Sequence, residues 1–147
     1  MTDHFKTEQE IEALVNGFLQ QTLPIKEWTH EAHLTTALFL LNKYTLEEAT
    51  CMMRSGIITY NKSTGGENTP TKGYHETLTI FWIKTISDYL RQNNEGNLLL
   101  LCNNFLKSEY ASRDYALKFY TRELLFSTKA RAFCVEPDIE KADWLAK

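Results

Sequence analysis

Two helix-start signals constrain the fold of this chain more than any other feature. Capping boxes begin at Thr7 and at Thr45, where a hydroxyl and a glutamate three residues later satisfy exposed amides at a helix start. After the first box, apolar residues recur at helical spacing, namely Ile11, Leu14, Val15, Phe18 and Leu19. The two boxes therefore predict amphipathic helices over residues 8–21 and from Thr45 to about Asn61.

The same combination of caps and apolar periodicity predicts the rest of the fold. Further helices are expected over 30–43 with Thr29 as N-cap, 74–91, 98–107, 112–120, and 129–133 with Ser127 or Thr128 as N-cap. No segment alternates in a way that predicts a paired strand, and no internal repeat or domain boundary is present. The chain is predicted to form a single all-α domain over residues 1–147, a bundle of about six helices with a weakly ordered tail through Lys147.

The clearest predicted loop spans residues 63–73. It is rich in Gly, Pro and Asn, which disfavour continuation of a helix. Long loops in compact domains often have a function, so this segment is expected to be either a cover over a site or a surface connector.

Composition excludes several classes of protein. A net charge of −3 gives no basic face or stripe, so no nucleic-acid partner is expected. No apolar run approaches the ~20 residues that span a bilayer, and the first residues lack a signal-peptide hydrophobic region, so a cytoplasmic protein without a membrane partner is expected. Three widely spaced cysteines, Cys51, Cys102 and Cys134, argue against a disulfide framework or a zinc ribbon.

Three of the four histidines lie in two short blocks, residues 27–33 and 73–77. His30 and His33 are three positions apart, which places both imidazoles on the apolar face of the predicted helix 30–43. His75 lies on the apolar face of the predicted helix 74–91. Burial and the positive end of a helix dipole both favour neutral imidazole, the form that binds a metal or accepts a proton.

These blocks carry a resemblance to a known family. The motifs W-T-H-x-x-H at residues 28–33 and G-Y-H-E-T at 73–77 resemble those of a largely uncharacterised family of small bacterial helical proteins of about this length. The segments 122–127 and 135–138 are similar to that family as well. The resemblance spans nearly the whole chain and implies a common design, but it implies no particular reaction.

The leading interpretation of the two blocks is a metal-dependent enzyme acting on a small molecule. If the two apolar faces pack together, His30, His33 and His75 approach a common centre and hold a divalent metal, Zn or Fe. Glu76 or Glu27 would then be a fourth ligand or a base, although Thr29 as N-cap leaves Glu27 outside the helix. Such a metal could activate a bound water for hydrolysis, or, as Fe(II) with an open position, bind oxygen; the sequence does not separate these two reactions.

Three other interpretations of the blocks remain open. One is a histidine acid–base pocket without a metal. Another is a non-catalytic module that holds a small-molecule ligand in an aromatic-lined pocket, with the histidines as hydrogen-bond partners. The third is a structural or interaction protein in which the two blocks merely fix helix ends.

Overall fold

Five helices of 10 to 18 residues and two shorter ones make up the fold of residues 2–145, the part of the chain that the computed structural model describes. In chain order they are α1 (Glu8–Leu19), α2 (His30–Lys43), α3 (Leu46–Ser63), α4 (Glu76–Gln92), α5 (Leu98–Lys107), α6 (Arg122–Leu125) and α7 (Thr128–Ala132). Within those residues no β-strand forms, which confirms the predicted all-α class. None of the described helices is both long enough and apolar enough to cross a membrane.

The predicted helix starts are confirmed where a Ser or Thr side chain caps the helix. Both capping boxes form, at Thr7 and at Thr45. Thr29 caps α2 through the amide of Ala32, and Ser127 caps α7. Each cap satisfies a backbone N–H that has no partner within its helix, which fixes the residue at which the helix begins.

Helix α2 lies at the centre of the bundle. It contacts α1, α3, α4 and α5. Its fully covered side chains include Ala32, Leu34, Thr35, Thr36, Ala37, Leu38 and Leu40. Because neighbours surround it on several sides, α2 holds the histidines of its first turns in a fixed position between α3 and α4.

The predicted helix over 112–120 is wrong. Short 3₁₀ helices form instead at Glu109–Ala111 and Tyr115–Lys118, separated by an extended backbone at Ser112. The second turn places the buried ring of Tyr115 against Phe81 of α4, at 6.0 Å between centroids, and Tyr110 of the first turn packs edge-on against Tyr115 at 5.4 Å. Packing of these rings in the aromatic cluster around Phe81 therefore outweighs the weak preference of a short segment for an α-helix.

The C-terminal segment is ordered further than expected. The indole N–H of Trp144 donates to the Thr85 hydroxyl at 3.1 Å, and its ring packs edge-on against Phe119. Lys84 also donates to the carbonyl of Leu145 at 2.9 Å. The prediction of a weakly ordered tail is thus wrong for Trp144 and Leu145, and its last two positions, 146 and 147, lie outside the described residues.

Candidate functional site

A cavity of about 490 Å³ lies between α2, α3 and α4. All three histidines of the two blocks line it, so we call it the histidine cavity. Its walls are mainly apolar and aromatic, with Trp28, Leu34, Ile57, Tyr74, Leu78 and Trp82 among the lining residues. A concave, mostly apolar cavity of this size with a few convergent polar groups is typical of a ligand site.

The imidazole of His33 is oriented by its own helix. Its Nδ1 lies 2.7 Å from the carbonyl oxygen of Thr29. Because a carbonyl oxygen can only accept, Nδ1 carries the proton, and Nε2 is left with a lone pair. The ring also stacks on Trp28 at 3.8 Å between centroids, and Trp28 stacks in turn on Phe18 at 4.3 Å. Among residues 2–145, Nε2 of His33 has no hydrogen-bond partner.

His30 has the opposite tautomer. Its Nε2 lies 2.8 Å from the carbonyl oxygen of Ala111, so Nε2 carries the proton and Nδ1 keeps the lone pair. The ring meets Trp82 edge-on at 5.4 Å. This hydrogen bond ties the turn at Glu109–Ala111 to the start of α2, across 81 positions of sequence. In the described part of the chain, Nδ1 of His30 is also without a partner.

Both nitrogens of His75 are already in use. Nε2 donates to the carbonyl oxygen of Leu125 at 2.6 Å, and Nδ1 accepts from the amide of Leu78 at 3.1 Å. His75 is therefore the N-cap of α4, which begins at Glu76 and not at Tyr74 as predicted. The prediction that His75 lies in the first turn of the helix is wrong for the same reason.

The three predicted metal ligands thus line one cavity without forming a three-ligand centre. Among residues 2–145, no group of three His, Cys, Asp or Glu side chains is placed to hold a metal ion. His75 has no nitrogen to offer while it caps α4. The metal site built from His30, His33 and His75 stays a prediction, and the donors available for it are the free nitrogens of His30 and His33.

The two predicted carboxylates are not among the residues that line the cavity. Arg54 binds Glu76 through two hydrogen bonds, of 3.0 and 2.7 Å, and the hydroxyl of Tyr74 donates to the same carboxylate. Burial by itself raises the pKa of Glu76, but the hydrogen bonds from Arg54 and Tyr74 outweigh it and hold that pKa below the usual range. Glu27 is exposed, in a 3₁₀ turn before α2. Their predicted roles as fourth ligand or base stay predictions.

The cavity keeps its histidines neutral. Burial lowers the pKa of His33 to about 4 against the raising effect of the Thr29 carbonyl, and Arg113, together with His30 when it is protonated, lowers this pKa further. Burial also lowers the pKa values of His30 and His75, against the raising effect of their carbonyl partners. At neutral pH the free nitrogens of His30 and His33 are therefore lone-pair acceptors.

The predicted loop contributes to the wall of the cavity through its last residues. Asn68 organises it, because its side-chain oxygen accepts from the amide of Tyr74 and its nitrogen donates to the carbonyl of Ile58. Gly73 has a φ of +83°, and a Cβ there would lie 2.1 Å from the carbonyl oxygen of Glu67. Gly73 and Tyr74 then line the cavity, held from outside by Arg131, which donates to the Gly73 carbonyl at 2.8 Å.

Sequence reasoning missed two polar residues of the cavity, Asn61 and Arg113. Asn61 is near the end of α3, and the predicted helix stopped there without assigning it a face. Arg113 falls in the segment that was predicted to start a helix. The only signal for either would have been the fold itself, since both come from elements distant in sequence from the histidine blocks.

In comparisons with known proteins, no protein-family model, no curated protein and no solved structure matches the chain. The resemblance to a bacterial family therefore stays a prediction.

A substitution at His75 tests its structural role. We expect His75→Ala to lower the free energy of unfolding by about 2 kcal/mol, from about 1 for the lost cap and about 1 for the lost buried hydrogen bond. His75→Asn should recover about half of this, because Asn is a good N-cap. Urea denaturation measures both, with His4→Ala as the exposed control. A wild-type stability for His75→Ala would contradict the assignment.

The depressed pKa of His33 predicts a dependence of stability on pH. The unfolded chain takes up a proton on His33 below its ordinary pKa of 6.5, whereas the folded chain does so only near 4. The contribution of the neutral His33 ring to the free energy of unfolding is therefore fully present above pH 6.5 and is lost as the pH falls toward 4.

Urea denaturation at several pH values in this range gives the free energy of unfolding as a function of pH. This free energy should rise less steeply with pH in His33→Ala than in the wild type, because about one proton less is taken up on unfolding. His4→Ala is the matched control, because His4 is exposed and lies outside the histidine cavity. Equal slopes for wild type and His33→Ala would mean that His33 titrates normally in the folded protein.

Proposed function

We propose that the protein binds a small, largely apolar molecule in the histidine cavity, through hydrogen bonds to His30 and His33 and without a metal. The observation that carries this proposal is the pair of neutral imidazole nitrogens, Nδ1 of His30 and Nε2 of His33, that face no partner among the described residues. The proposal keeps the expected cytoplasmic location.

The dimensions of the cavity support a small molecule. Its volume of about 490 Å³ falls within the ~300–1,000 Å³ of typical ligand sites. Apolar and aromatic side chains such as Trp28, Leu34 and Trp82 provide the area against which an apolar body is buried. The two imidazole acceptors then favour O–H or N–H donors on the ligand, because His30 and His33 are half-buried and a ligand that covers their free nitrogens without donating to them leaves those lone pairs without a partner.

The pKa of His33 favours binding over acid–base chemistry. A general base is most effective when its pKa lies near the working pH. His33, with a pKa of about 4, is a weak base at neutral pH and a good neutral acceptor. The fixed tautomer also favours binding over acid–base chemistry, since Nδ1 donates to the Thr29 carbonyl and only Nε2 can accept from a ligand.

Phenylnaphthylamine, an apolar fluorescent amine with one N–H donor, is a suitable probe. We expect it to bind the wild type and to be excluded by Ala37→Phe and by Ile57→Phe, which fill the cavity from α2 and from α3. Because the probe has a single N–H, it donates to only one of the two free nitrogens, so one of His30→Ala and His33→Ala should weaken binding by about fivefold, the equivalent of a hydrogen bond of about 1 kcal/mol.

Fluorescence titration gives the affinities, and circular dichroism checks that each variant is folded. His4→Ala removes an exposed histidine outside the cavity and should leave the affinity unchanged. Binding that survives in folded, cavity-filled variants would show that the probe binds elsewhere and would sink the proposal.

A metal-dependent enzyme is the second candidate, and one specific observation favours it. His30 and His33 offer neutral nitrogens to one cavity, and neutral imidazole is the ligating form for Zn²⁺ or Fe²⁺. The two histidines also lie close enough for the charge of His30 to influence the pKa of His33. Water or the substrate would supply the other ligands, while His75 would remain the cap of α4.

Elemental analysis after incubation with Zn²⁺ or Fe²⁺ and desalting tests this candidate. It predicts nearly one metal per chain in the wild type and in His75→Asn, where the cap is kept. The double variant His30→Ala/His33→Ala should retain none. A wild type that retains no metal, or a double variant that does, would rule out this form of the site.

A further inference from the structure

We infer that the ligand of the histidine cavity is an anion, a molecule with an apolar body and one negatively charged group that pairs with Arg113. The inference rests on the proposed function, since it assigns a charge to the molecule that the cavity holds. It adds a residue that determines specificity, which neither the histidine blocks nor the metal hypothesis includes.

The charges around the cavity are unbalanced. Among the described residues that line it, Arg113 is the only one charged at neutral pH, and no lining residue is acidic. The carboxylate nearest in sequence to the second histidine block, Glu76, is already paired with Arg54. The lining residues therefore carry one net positive charge, on the exposed side chain of Arg113, which an anionic ligand would neutralise.

Arg113 differs from the other arginines near α4. Arg54 pairs with Glu76, Arg91 pairs with Asp88, and Arg131 donates to the carbonyl of Gly73. Arg113 has no ion-pair partner within residues 2–145. A guanidinium presents several N–H donors in a planar fork that matches carboxylate, phosphate or sulfonate geometry.

Two further features place positive potential at the same site. Helices α2 and α4 both begin at the cavity, with Thr29, His30 and His75 among the lining residues, and the N-terminal end of a helix favours negative charge. The charge of Arg113 reaches the imidazoles, since it contributes to lowering the pKa values of His30 and His33, although at His30 the opposing charge of Glu31, which does not line the cavity, has the larger effect.

The backbone also holds Arg113 near its position. The carbonyl of Ala111, two residues earlier, accepts the Nε2 proton of His30. That bond attaches the turn that carries Arg113 to the start of α2. The ligand would thus lie with its apolar body between the helices and its anionic group at the side of the cavity that Arg113 lines.

A matched pair of probes isolates the charge. Anilinonaphthalene sulfonate has the aromatic body of phenylnaphthylamine and adds one sulfonate. We expect the wild type to bind the sulfonate more tightly than the neutral probe. Arg113→Gln should lower the affinity for the sulfonate by about tenfold, as for the loss of a charged hydrogen bond partly exposed to solvent. The same variant should leave the affinity for the neutral probe unchanged.

Arg122→Gln is the matched control, because Arg122 is exposed and lies outside the histidine cavity. It should leave both affinities unchanged. Raising the salt concentration should lower the affinity of the wild type for the sulfonate, since salt screens the charge pair. The affinity of Arg113→Gln should fall much less.

The outcomes separate this inference from the proposed function. If both probes bind and both are excluded by Ala37→Phe and Ile57→Phe, the cavity is a ligand site. If Arg113→Gln then changes the two affinities equally, or neither of them, the inference about charge is overturned while the cavity stands. If cavity-filling changes neither affinity in folded variants, both the proposed function and this inference fail.

Discussion

Each histidine of the cavity is held by a backbone carbonyl, and the site depends on these three hydrogen bonds. The carbonyls of Thr29, Ala111 and Leu125 accept from His33, His30 and His75. Two of the bonds join segments 81 and 50 positions apart, so they connect the C-terminal third of the chain to α2 and α4. A neutral imidazole can donate only once, and these bonds therefore decide which nitrogen of each ring remains available.

That constraint divides three similar residues into two roles. Both nitrogens of His75 stabilise the fold, because Nδ1 caps α4 and Nε2 donates to a carbonyl of α6. His30 and His33 each keep one lone pair in an apolar cavity. Because burial keeps both rings neutral, their free nitrogens are acceptors, and Arg113 is left as the charged group of the site. The cavity is thus suited to an apolar molecule that offers a donor and an anionic group.

The sequence predicts those features that depend on neighbours along the chain. Capping boxes and apolar spacing predicted the first five helices to within two residues at either end, in line with the usual accuracy of helix boundaries. The same local reasoning placed His30 and His33 on an inward face. It gave no reason for Gly56 in α3, where a Cβ would lie 2.7 Å from the ring of Phe18, so close packing between α1 and α3 explains the glycine. Partners distant in sequence, such as Leu125 for His75 and the turn that carries Arg113, left no local pattern to read.

Imidazole nitrogen chemical shifts, measured by NMR across the pH range in which histidine titrates, test the central claim most directly. The account predicts that at neutral pH all three rings are neutral, with the proton on Nδ1 in His33 and on Nε2 in His30 and His75. His33 should keep that tautomer until the pH approaches 4. A His33 ring that titrates near 6.5 and exchanges between tautomers would show that the carbonyl of Thr29 does not fix it, and would contradict the account of the cavity.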